Sequence, residues 1–73
     1  MEARGARIRS DREEAGHGLN QFADLVGVSP SWLSRIERGE SKRPSPEVLK
    51  RIAEGLGKTI REITKRGEED SNE

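Results

Sequence analysis

The stretch at residues 22–44, FADLVGVSPSWLSRIERGESKRP, decides the fold. It reads as helix, tight turn, helix, basic loop. Leu19, Phe22, Ala23 and Val26 form an apolar stripe at helical spacing. Gly27 follows, where a sharp turn between two helices needs a positive φ. Ser29 and Pro30 are a start signal: the hydroxyl caps free amides, and proline at the first position loses no needed donor. In the helix that begins there, Leu33, Ile36 and Glu37 share one face. Ser31, Ser34, Arg35 and Arg38 fall on the other, spaced i, i+3, i+4, i+7. Gly39 is a natural stop. One face is suited to a small core; the other presents polar and basic groups to a charged surface.

These residues also carry a resemblance. Ala23, Gly27, the Val28 and Ser29 entry, and the exit through Ile36, Glu37, Arg38 and Gly39 resemble the helix-turn-helix of the phage repressor and Cro superfamily. The likeness runs on through Lys42, Arg43 and Pro44 to Leu56 and Gly57, in one register over residues 4–65. The combination is specific, whereas a lone Ala-x-x-x-Gly is not. The resemblance implies an all-α, five-helix, lambda-repressor-like domain.

The bulk numbers fit such a domain. A chain of 73 residues is one domain, and at this size only about 60% of the unfolded surface is buried. Without cysteine there is no disulfide or thiolate metal site to compensate. No apolar run is long enough for a signal peptide or membrane helix. The expected location is the cytoplasm, in a bacterial or phage-encoded setting. The formal net charge is zero, but its distribution is uneven. Residues 67–73 hold Glu68, Glu69, Asp70 and Glu73 and no Lys or Arg, so residues 1–66 carry 14 basic against 10 acidic groups, a net +4. The expected division is a domain at 1–66 and an acidic, disordered tail at 67–73.

Read in order, residues 1–3 should fray. Helix 1 should run over residues 4–15 and stop at Gly16. Its stripe of Ile8, Arg12 and Ala15 contains a misplaced arginine, as the second motif helix contains a misplaced Glu37. Opposite charges stranded in two apolar stripes suggest each other as partners. The resemblance places an Arg-Glu pair at these two positions. The alternative is that both side chains reach solvent independently.

Gly16, His17 and Gly18 fit the family pattern least well. Without a gap, His17 stands where a core leucine is usual, Gly18 at a cap and Leu19 at a phosphate-contacting site. With two residues inserted, Leu19, Asn20 and Gln21 would start the helix instead. The ungapped register keeps the stripe of Leu19, Phe22, Ala23 and Val26. Either Asn20 or Gln21 is then the polar side chain at a phosphate. His17 is a lone histidine without a set of metal ligands, which makes it a loop residue. No metal or other cofactor is expected. Further on, Ser45, Pro46 and Glu47 start helix 4, whose core face is Val48, Leu49, Ile52, Ala53 and Leu56. Thr59 and Glu62 are spaced as a capping box for helix 5. Ile60 and Ile63 close the core, and Gly67 ends the helix.

The resemblance assigns roles. It puts Pro30, Ser31 and Arg35 at base edges, with Ser34 bonding bases or phosphates. Arg35 is the strongest reader, since a guanidinium bonds O6 and N7 of guanine together. Lys42 and Arg43 lie in a loop that runs along the DNA backbone in the family, the alternative being a solvated charge pair in a surface loop, and Arg38 joins them at phosphates. Trp32 has two compatible readings: packing over the core edge, and donating its indole N–H to a phosphate. The implied partner is a double-stranded, palindromic operator bound by a homodimer meeting through helix 5, at Ile60 or Ile63. The implied activity is transcriptional regulation as a repressor, without catalysis. The same fold also serves as an antitoxin or adaptor module, with Trp32 as the anchor.

The tail yields a test. An acidic segment beside a basic domain lowers the potential that attracts DNA. Truncation after Arg66 should raise affinity for random and specific duplex together at low salt. The gain should fade near 0.15 M salt, where the Debye length is about 8 Å. Equal affinities of the two forms at low salt would leave the tail inert.

Overall fold

The computed structural model describes residues 2–41 and 44–65. Met1, Lys42, Arg43, Arg66 and the acidic tail lie outside the described residues, and with them the expected domain boundary. The elements are β1 (Glu2–Ala3), α1 (Gly5–Glu14), α2 (Leu19–Val26), α3 (Pro30–Glu37), α4 (Pro46–Leu56), α5 (Ile60–Ile63) and β2 (Thr64–Lys65).

Helices α3, α4 and α5 begin at the caps that the sequence chemistry marks. Ser29 Oγ accepts the Trp32 N–H at 3.1 Å, and Ser45 Oγ accepts the Val48 N–H at 3.3 Å. Both serines are followed by proline at the first helical position. Thr59 and Glu62 form the reciprocal capping box: Thr59 Oγ1 accepts the Glu62 N–H, and Glu62 Oε1 accepts the Thr59 N–H at 2.8 Å. That backbone hydrogen bond is the first cause holding the Glu62 carboxyl below its usual range. At the α2–α3 turn Gly27 takes a φ of 78°, while its own N–H and that of Val28 satisfy the Asp24 and Ala23 carbonyls.

The core is one cluster. Ile8, Phe22, Ala23, Leu33, Ile36, Leu49, Ile52 and Ile63 are fully buried, and Leu19, Val28, Trp32, Leu56 and Ile60 pack around them. The stripes read from the sequence are the buried faces, except that Ala15 is exposed. Helix α1 ends at Glu14, so Ala15 already belongs to the turn.

Three expectations about the ends are corrected. Glu2 and Ala3 are not frayed: they pair antiparallel with Lys65 and Thr64. Helix 5 does not run to Gly67 but stops at Ile63. The buried Thr64 donates its hydroxyl to the Ile60 carbonyl at 2.8 Å, closing the last turn, and its backbone continues extended. The Arg4 N–H donates to the Ile63 carbonyl at 2.8 Å and its Nε–H to the Thr64 carbonyl at 3.0 Å. The five-helix domain thus carries a two-stranded clasp. Ile63 lies inside the core, which removes it from any dimer contact.

Two glycines permit close helix packing. A Cβ on Gly5 would stand against the backbone carbonyls of Ile36 and Glu37, 2.5 Å from the latter. A Cβ on Gly55 would lie 3.0 Å from Phe22 Cε1 and Val26 Cγ1. The first contact is with helix backbone, which cannot yield without moving α1 off α3. The second is with side-chain ends, and the alanine gains helix propensity worth up to about 1 kcal/mol. Gly5→Ala should therefore cost about 1–3 kcal/mol in urea unfolding, and Gly55→Ala clearly less. A Gly5→Ala protein as stable as wild type would show that α1 does not sit tightly on α3.

Candidate nucleic-acid interface

Helix α3 turns two different faces outward and inward. Leu33, Ile36 and Glu37 are buried, while Pro30, Ser31, Arg35 and Arg38 are exposed and Ser34 is half-buried. What holds that orientation is an ion pair from α1. Arg12 Nε–H donates to Glu37 Oε2 at 2.8 Å, and Nη2–H to Oε1 at 3.1 Å. The side chains are only 9% and 5% exposed, so this is a buried, bidentate pair. Arg12 also donates through Nη1 to the His17 carbonyl at 3.0 Å, which adds the loop before α2 to the same anchor. The hydrogen bonds that Glu37 accepts raise the Arg12 pKa above its ordinary value, against a desolvation that opposes charge. The reading in which both side chains reach solvent independently is excluded.

Helix α2 supplies the second edge of the surface. It starts at Leu19 with Gly18 before it, as in the ungapped register. Glycine has no side chain to cap with, so only half of a capping box exists: Gln21 Oε1 accepts the Gly18 N–H at 3.4 Å. The amides of the first turn receive no side-chain cap at the positive end of the helix, beside the exposed Asn20 and Gln21. His17 is half-buried, its ring centroid 5.4 Å from that of Phe22. It fills the edge of the core where the family pattern has leucine.

The sequence candidates are not equivalent in the folded chain. Arg35 makes no side-chain hydrogen bond among the described residues, and Ser31 and Asn20 are likewise open. Arg38 is engaged. It donates through Nη1 to Ser34 Oγ at 2.7 Å and through Nε and Nη2 to the two oxygens of Glu40, at 3.1 and 3.2 Å. Trp32 is half-buried against the core, and its indole N–H donates to Ser41 Oγ at 3.2 Å. Its packing reading is the one observed, and the donor proposed for a phosphate is already in use. Lys42 and Arg43 lie outside the described residues. Lys50 and Arg51 are exposed, and Arg51 pairs with Glu47 on its own helix.

Glu40 is the residue that sequence reasoning missed. The signal available was a carboxylate two positions after Arg38, immediately beyond a helix-ending glycine. Gly5 was missed for another reason: its spacing from Ile8 and Arg12, i, i+3, i+7, marks one face, but a glycine carries no hydrophobic signal.

Comparison with known proteins agrees with this geometry. A family model described as a helix-turn-helix domain matches residues 5–63. This chain belongs to the repressor and Cro-like helix-turn-helix family. The helix-turn-helix domain is 43% identical over 56 residues to the HTH-type transcriptional repressor RghR of Bacillus subtilis, matching 77% of this chain and 42% of that protein. It is 36% identical over 56 residues to the regulator SinR of the same species, matching 77% of this chain and 50% of SinR. The chain thus spans half or less of the length of these relatives. Among solved structures, SinR in complex with DNA matches with a TM-score of 0.73 at 36% identity, over 77% of this chain and 89% of that one. The P22 c2 repressor in complex with a synthetic operator matches with a TM-score of 0.80 at 28% identity, over 89% and 97% of the two chains.

The buried pair is open to direct test. Glu37→Ala leaves Arg12 charged and unpaired in the core, and should cost about 3–5 kcal/mol. In a domain this small that loss should abolish cooperative melting near room temperature. An unchanged melting temperature would mean the pair carries none of the stability.

Proposed function

We propose that this helix-turn-helix domain is a sequence-specific, double-stranded DNA reader belonging to a transcriptional repressor. The observation that supports it most is the outward face of α3: polar and basic beyond Pro30, and fixed in orientation by Arg12 and Glu37. A helix of this kind fits the major groove. Arg35, exposed and uncommitted, reads guanine, and Ser31 bonds a neighbouring base edge. Pro30 offers only apolar contact, such as with a thymine methyl. Ser34 and Arg38 work as a linked pair near the backbone.

Phosphate contacts frame these readers. The open amides at the start of α2, with Asn20 and Gln21, suit one phosphate. Lys42 and Arg43 follow α3 closely in sequence and complete the contact with the backbone. Trp32 acts through position rather than contact, holding Ser41 and the start of the loop against the core. That half-buried placement gives the antitoxin or adaptor reading less of an anchor.

A single domain offers few base contacts, so two copies on a palindromic operator complete the site. With Ile63 buried, half-buried Ile60 is the apolar residue of α5 left for a contact between copies. Among the described residues no helix is long and apolar enough to cross a membrane. The proposed place of work is the cytoplasm, on DNA, and no catalytic step belongs to the proposal.

Selection of bound sequences from a random duplex library tests this reading. It should return a palindrome. Arg35→Ala should lower specific affinity by about 1–3 kcal/mol and erase the preference at one base position per half-site. A selected site that keeps all its information in the variant would take Arg35 out of base reading. A wild-type protein that enriches no sequence would remove the proposal itself.

A further inference from the structure

The carboxylate of Glu40 occupies the place on Arg38 that a phosphate would take. It accepts Nε–H and Nη2–H on two oxygens, the same side-on geometry in which a guanidinium grips a phosphate. The pair is exposed, at 54% and 57% of the two side chains, yet its backbone is not loosely placed. The chain leaves α3 through Gly39 at a φ of 81°. The Gly39 N–H then donates to the Ile36 carbonyl at 3.1 Å and the Glu40 N–H to the Arg35 carbonyl at 2.9 Å. Ser41 adds a bond to the same Arg35 carbonyl at 3.3 Å, and Trp32 holds the Ser41 hydroxyl. The helix ending thus folds Glu40 back beside Arg38. Hydrogen bonds from Arg38 are the first cause holding the Glu40 carboxyl below its usual range, with the charges of Arg38 and Arg35 behind them. Glu40 is therefore ionised throughout the neutral range.

We propose that Glu40 is an intramolecular competitor of the DNA backbone for Arg38, and so a residue that sets how strongly this domain holds DNA of any sequence. The proposal rests on the DNA-reading function above. When a phosphate takes Arg38, the Glu40 carboxylate loses its partner and must recruit a cation from solution. That offsets about one of the counterions released on binding. Arg35 feels the Glu40 charge but makes no hydrogen bond to it, and is left to act on bases. The arrangement weakens the sequence-independent part of binding, to operator and random DNA alike.

The test is a double-mutant cycle with Glu40→Gln and Arg38→Ala, read by fluorescence anisotropy on selected and random duplex at about 50 and 200 mM salt. Glu40→Gln should tighten binding to both duplexes by about two- to fivefold at low salt and steepen the salt dependence by about one ion. In the Arg38→Ala background the same substitution should gain little. An equal gain in that background would show a general charge effect and overturn the competition. Weaker binding by Glu40→Gln would also overturn it, since Glu40 would then be orienting Arg38 for DNA. So would unchanged affinity and slope. Wild-type binding in the same titration keeps the two proposals apart: if wild type shows no salt-sensitive binding to either duplex, the DNA-reading function fails before the question of Glu40 arises.

Discussion

The fold depends on how α1 grips the last turn of α3. Gly5, Ile8 and Arg12 lie on one face of α1, and all three are buried. Gly5 lets the backbones approach, Ile8 fills the core between them, and Arg12 takes both carboxylate oxygens of Glu37. A bidentate pair fixes a plane as well as a distance. An apolar contact at the same place would hold α3 near α1 but would tolerate rotation about its axis. Rotation is what the outward face cannot tolerate, because Ser31, Ser34, Arg35 and Arg38 are arranged along one line of the helix. The cost of burying two charges is met by complete hydrogen bonding, including the bond from Arg12 to the His17 carbonyl.

From that constraint the outer surface separates into parts with different freedom. Arg35 stands clear. Arg38 is held by Ser34 on one side and Glu40 on the other. Trp32 is turned inward and spends its N–H on Ser41. A row of similar residues in the sequence is therefore an open cation, an occupied cation and a structural brace in the folded chain. The difference comes from the turn after Gly39, which brings residues 40 and 41 back over the end of the helix.

Much of this was legible in the sequence, for identifiable reasons. Helical periodicity located the buried faces of α2, α3 and α4, because a thin core uses each apolar side chain once. The Ser-Pro pairs and Thr59 with Glu62 marked helix starts, because capping is local chemistry. Arg12 and Glu37 could be paired because each broke an apolar stripe. What escaped had no local signal. Two-residue strands are too short for alternation, and the pairing of Ala3 with Thr64 joins the two ends of the chain. Gly5 matters for the side chain it lacks. Glu40 reads as one more surface charge until the helix ending places it on Arg38.

The claim that α3 presents its polar face to DNA, with the start of α2 beside it, is tested most directly by NMR. Labelled protein would be titrated with a duplex carrying the selected site, and amide shifts followed residue by residue. The account predicts the largest changes at Ser31, Ser34, Arg35 and Arg38 and at Leu19, Asn20 and Gln21. It predicts little change at Leu25, Arg51 and Glu54, which line a separate hollow between α2 and α4. Changes centred on Leu25 and Arg51, with α3 silent, would contradict it.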